Sequence, residues 1–149
     1  MDRRLPPCRR VTSAIVTGTV MLAFGAGCAG QASVSKADYL ARGEAVCQQA
    51  SGDWDGLVKK LPAGPIEVRE KYVVDKLAPA LANVVNQLRN SGYPAGDQEY
   101  LDSIYADIDA EIAQMVDQPS TDLQARLDAP FAAPAARLEE YGLDRCAEL

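Results

Sequence analysis

The sequence contains no histidine. That absence excludes serine and cysteine nucleophiles activated by imidazole, the ordinary zinc enzymes, and di-iron bundles built on Glu-x-x-His. Positive charge is also in short supply. Fifteen Lys and Arg stand against 21 Asp and Glu, a formal net charge of −6. A nucleic-acid surface needs a clustered basic face, and Lys59-Lys60 is too small to supply one, so no nucleic-acid partner is expected. Aromatic residues make up 6% of the chain, with a single Trp. Strand signals are missing too: no segment alternates apolar and polar residues, and no Asn-Gly or Asp-Gly pair separates two β-rich runs.

A long apolar run is lacking as well, and this shapes how the N-terminus reads. Arg3, Arg4, Arg9 and Arg10 precede an apolar core, Val11–Phe24, of 14 residues. Crossing a bilayer takes about 20 mostly apolar residues, and extending this core to Gly30 adds only Gly, Ala and Cys. A basic segment, an apolar core and a small-residue site describe an export signal, residues 1–27. The following Gly25-Ala26-Gly27-Cys28 resembles the lipobox of bacterial lipoproteins. In that motif small residues precede a cysteine that is acylated, for instance with palmitate, and becomes the new N-terminus. Gly25 departs from it, since a branched apolar residue is usual there. The resemblance implies lipidation at Cys28 and attachment to the extracytoplasmic face of the cell membrane; the alternatives are an ordinary secretory signal and an uncleaved anchor. Residues 1–27 hold four Arg and one Asp, so the chain from Cys28 carries 11 basic and 20 acidic residues, net −9.

Cys8 falls within the signal. Cys47 and Cys146 remain, and in an oxidising compartment a disulfide between them is expected, the alternative being two buried free thiols.

Residues 28–35 are small and polar and read as a flexible tether; residues 36–149 form the folded domain. Ser35 sits at a helix N-cap position with Asp38 three residues on. From there Tyr39/Leu40, Val46/Cys47, Ala50, Trp54, Leu57/Val58 and Leu61 recur at helical steps, with Gly43 filling the first gap. Gly52 and Gly56 invite a break. After Leu61-Pro62-Ala63-Gly64-Pro65, a second stripe runs through Val73, Leu77, Leu81, Val84 and Leu88, and Pro79 predicts a kink one turn before it. Asp97 is the expected cap of a third helix carrying Leu101, Ile104, Ile108, Ile112 and Met115. A fourth segment, Leu123, Leu127, Phe131, Leu138 and Tyr141, is expected to split near residues 129–134 at Pro130 and Pro134. Gly142 ends it. The fold class is therefore all-α: an up-down-up-down four-helix bundle with one disulfide.

Between Arg89 and Arg126 lie eight acids and no base. Asp107 and Glu111 share a helix face while Asp109 points elsewhere. No glycine turn arranges them as a calcium loop, so a solvated face is preferred over a weak cation site or a basic partner's dock. Carboxylate pairs at glycosidase spacing arise by chance on any acidic helix, and no enzyme activity or cofactor is expected. Trp54 is assigned to the core near its edge, the alternative being a partly exposed contact anchor. Tyr93 is either a recognition residue or a loop plug, and Tyr100 and Tyr105 are placed at the core rim.

The opening KADYLARGEAVCQQA resembles the "YxxxAxxxC" helix of small exported actinobacterial lipoproteins, through Tyr39 and Cys47. Gly43 stands where Ala is usual. The ending resembles their "YGLxxC" segment through Tyr141, Gly142, Leu143 and Cys146. The resemblance implies a disulfide-linked helical bundle, covers residues 36–146, and carries no activity. The function expected on these grounds is an envelope-anchored interaction or accessory module with an unidentified protein partner. The alternative is a small-ligand or cation binder using an inter-helix pocket or the acidic third helix.

Overall fold

A computed structural model describes residues 33–149. The signal, Cys28 and the first part of the tether lie outside the described residues. Within them every named element is helical, and one isolated parallel bridge joins Val34 to Pro94. No described helix is long and apolar enough to cross a membrane.

Helix α1, Lys36–Val58, starts as its sequence requires. The Ser35 hydroxyl accepts from the Asp38 amide at 3.0 Å and donates to the Asp38 carboxylate at 2.7 Å. The expected break at Gly52–Gly56 does not form: α1 is continuous. A glycine costs about 1 kcal/mol in a helix, and burial of Ala50 and Trp54 on the same face outweighs it.

The second stripe folds as α2, Ile66–Tyr72, a π-helical turn at Val73–Leu77, and α3, Ala78–Asn90. The π turn is the local consequence of Pro79. Proline has no N–H, and its ring collides with the carbonyl four residues back, here Asp75. Widening the turn so that the Ala78 amide bonds to the Val73 carbonyl relieves that collision. The apolar stripe stays in phase, with Val73, Leu77, Leu81, Val84 and Leu88 all buried.

Helix α4 spans Gln98–Asp117 and buries Leu101, Ile104, Ile108 and Met115 as expected, with Ile112 half-buried. Two expectations are corrected here. Asp97 is the N-cap residue but its side chain makes no cap bond; its carboxylate accepts instead from the Tyr141 hydroxyl at 2.6 Å. Tyr105, placed at the rim, is fully buried, and its hydroxyl is paired with that of Tyr39.

The fourth segment divides as Pro130 and Pro134 dictate, into α5, Leu123–Asp128, and α6, Ala135–Tyr141. Gly142, at φ +100°, ends α6. The Leu143 amide bonds back to Leu138 at 2.9 Å and the Gly142 amide to Glu139 at 2.9 Å, a Schellman closure whose flanking residues, Leu138 and Leu143, are both buried. A short helix α7, Asp144–Ala147, follows. Its Arg145 amide is received by the Glu44 carboxylate of α1 at 3.1 Å, so a residue far away in sequence caps it.

The α3 helix contacts both α1 and α4, and α7 lies against α1 and α6. The apolar side chains of all these elements form one buried cluster, and among the described residues no charged side chain is buried.

Candidate functional site

The disulfide is present. Cys47 on α1 and Cys146 on α7 are bonded, 99 residues apart and with Cα atoms 5.0 Å from each other. Both are fully buried. Gly43, one turn before Cys47, lets α7 approach: a Cβ built there would lie 2.6 Å from a Leu143 methyl. Here is a physical reason for glycine at that position.

Trp54 is core, as expected. It is 5% exposed, and its indole N–H donates to the Leu127 carbonyl at 3.0 Å, which ties α5 to α1. Its ring also lines a groove of about 80 Å³ between α1 and α3, floored by Val46, Ala50, Leu81 and Val84 and edged by Gln49 and Asn83.

The acids of α4 are drawn apart rather than together. Asp109 pairs with Arg89 of α3 at 2.6 Å, Asp107 with Arg137 of α6, and Asp102 accepts from the Tyr93 hydroxyl at 2.6 Å. Glu111 is held above the usual carboxyl range by burial, with Arg126 opposing the shift. Asp102, Asp107 and Asp109 thus face different neighbours. Among the described residues no group of three or more His, Cys, Asp or Glu is placed to hold a metal ion.

Tyrosines cluster around this end of the domain. Tyr39 packs edge-on against Tyr141, and Tyr100 lies beside Tyr141 at 5.9 Å between centroids. A cation lies over each of three rings: Lys36 over Tyr141, Arg89 over Tyr105 and Arg137 over Tyr100. Burial pushes the Tyr39, Tyr105 and Tyr141 hydroxyls upward in pKa, and it pushes Tyr93 up to about 12, helped by the bond to Asp102. All four hydroxyls stay protonated at neutral pH and act as hydrogen-bonding groups.

A larger cleft, of about 650 Å³, opens where α3 turns into α4. Arg42 of α1 and Arg89 of α3 line it, together with the loop Asn90–Gly96, Gln98 and, just before α1, Ser33 and Val34. Among the described residues no Asp or Glu lines it. Tyr93, left between recognition residue and loop plug, forms part of this wall. Gly92, at φ +86°, allows Val34 to dock: a Cβ there would stand 3.1 Å from a Val34 methyl. Nothing in the periodicity of the chain marks Arg42, because it occupies an exposed position on α1 and only folding brings it to the cleft of Arg89.

Comparison with protein-family models, curated proteins and solved structures gives no match in any of the three.

Proposed function

We propose that this protein is a lipoprotein, anchored through acyl chains on Cys28 to the extracytoplasmic face of the cell membrane. Its helical domain acts there as an interaction or accessory module for another envelope protein, without catalysis. In this reading residues 1–27 are removed on export and residues 28–35 form the tether. Residues 36–149 are an up-down-up-down four-helix bundle whose fourth member is the α5–α7 segment, and the resemblance to small exported actinobacterial lipoproteins is one of kinship. The observation that carries the reading is the Cys47–Cys146 disulfide. Such bonds persist in oxidising, extracytoplasmic compartments and are rare in the cytosol, and here one follows an export-type N-terminus. Two or more acyl chains suffice for stable anchoring.

The test is metabolic labelling with an alkyne-bearing palmitate analogue. The wild-type protein is expected to incorporate label and partition into the membrane fraction. A Cys28→Ala variant should lose both label and membrane association. Label that persists in Cys28→Ala, or wild-type protein recovered wholly in the soluble fraction, contradicts the proposal.

A second reading, a small-ligand or cation binder, draws on the α1–α3 groove beside Trp54. Its small volume suits a group of a few heavy atoms. The acidic third helix supports the cation form less well, since its carboxylates are engaged separately by Arg89, Arg137 and Tyr93.

A further inference from the structure

The cleft between α1, the end of α3 and the α3–α4 loop is electrostatically at odds with the rest of the molecule. From Cys28 onward the chain carries a net charge of −9, yet among the described residues this cleft is lined by two arginines and no acid. The two arginines are not equivalent. Arg89 is already partnered by Asp109 and lies over the Tyr105 ring, so part of its charge is neutralised and its position is fixed. Arg42 is different. Its guanidinium donates to the Ser91 carbonyl at 3.3 Å, and among the described residues no carboxylate lies within ion-pair distance of it. A guanidinium held by a neutral carbonyl keeps donors free for an anion.

We infer that this cleft binds a phosphate-bearing ligand, with Arg42 as the principal anion contact. The volume of about 650 Å³ lies within the range of small-molecule sites. Donor-bearing residues surround it from separate elements: Arg42 from α1, Arg89 and Asn90 from α3, Gln98 from α4 and Ser33 from the tether. A planar carboxylate is satisfied by one guanidinium fork, whereas the tetrahedral oxygens of a phosphate use donors arriving from several directions. One wall is the tether itself, held by the Val34–Pro94 bridge. Ligand in the cleft therefore also fixes how the chain enters the domain. The inference is independent of lipidation at Cys28 and of any protein partner.

The same phosphate chemistry comes from two sources, a soluble phosphate ester or the headgroup of an anionic lipid, and the experiment has an arm for each. The protein, purified as its host makes it, is titrated with glycerol phosphate and inorganic phosphate by calorimetry. It is also titrated with water-soluble short-chain phosphatidylglycerol or phosphatidylcholine, a readout that acyl chains on Cys28 do not decide. Binding in either arm is expected to fall about tenfold or more in Arg42→Gln and to recover in part in Arg42→Lys. Lys59→Gln, a remote exposed cation, should leave binding unchanged. Arg42 is exposed, and an unchanged circular dichroism spectrum confirms that the variants fold. Arg42-dependent binding of the soluble esters assigns the ligand to solution, and Arg42-dependent binding of short-chain phosphatidylglycerol alone assigns it to a lipid headgroup. Binding in neither arm, or an equal loss in Lys59→Gln, overturns the inference.

Discussion

At the scale of single residues, two features determine how tightly the domain closes. Gly43 is the first. Gly43→Ala removes a helix-propensity penalty of about 1 kcal/mol but places a methyl 2.6 Å from the side chain of Leu143, which is fully buried and has little room to turn. Overpacking costs about 1–3 kcal/mol, so a net loss of about 1 kcal/mol is expected. Gly52→Ala, with nothing within 4 Å of the added carbon, is expected to gain about 0.5–1 kcal/mol. Denaturant melts of the two variants should therefore move in opposite directions; equal shifts would contradict the steric account. The buried hydroxyl pair of Tyr39 and Tyr105 is the second. Removing one hydroxyl strands the other, at a cost of about 1–3 kcal/mol. The double variant Tyr39→Phe/Tyr105→Phe is expected to be less destabilised than the sum of the single ones, and a thermodynamic cycle measures the difference. Neither feature follows from periodicity. Gly43 reads as a gap-filler until Leu143 is known to face it, and Tyr105, lying next to Ile104, is indistinguishable in sequence from a rim residue.

Individual helices explain which parts of the sequence were legible. The stripes of α4 and of the π turn with α3 were, because apolar residues at steps of three and four report the buried face directly, and Val73, Leu77, Leu81, Leu101, Ile104 and Ile108 all lie in the core. The proline positions were legible for an equally local reason, and they produced the π turn before Pro79 and the split between α5 and α6. Helix starts were less so. Ser35 caps α1 as its residue type dictates, but Asp97 is taken by Tyr141, a tertiary competitor that local sequence does not reveal. The Arg42–Arg89 cleft was invisible for the same reason, since its residues come from separate elements. Gly142, by contrast, was legible, and its left-handed φ of +100° makes a sharp test. Gly142→Ala is expected to destabilise the domain by about 1 kcal/mol or more, with hydrogen exchange rising in α6 and α7 before the rest; an unchanged exchange pattern would contradict the Schellman account.

For the molecule as a whole, alkaline stability follows from the tyrosine cluster. The hydroxyls of Tyr39, Tyr93, Tyr105 and Tyr141 sit above the ordinary value of 10.0, chiefly through burial. In each case the folded state holds its proton more tightly than the unfolded chain. The stabilisation is complete below pH 10 and declines above it; the share from Tyr93 is lost by about pH 12, where that residue titrates in the folded protein, and the shares from Tyr105 and Tyr141 at higher pH. Tyrosinate absorbance should therefore rise together with loss of helical circular dichroism; early, complete ionisation in a still-folded protein would contradict this. The widest-reaching constraint is the closure of the chain on itself. By chain-entropy reasoning a crosslink spanning about 100 residues contributes about 4.7 kcal/mol, comparable with the whole stability of a small domain, about 5–15 kcal/mol. The most direct test of the account is an intact mass of the protein isolated from cells, taken before and after reduction. The account predicts a chain that begins at an acylated Cys28 and gains the mass of two hydrogens on reduction. A mass that retains residues 1–27, or free thiols at Cys47 and Cys146 before reduction, would contradict it.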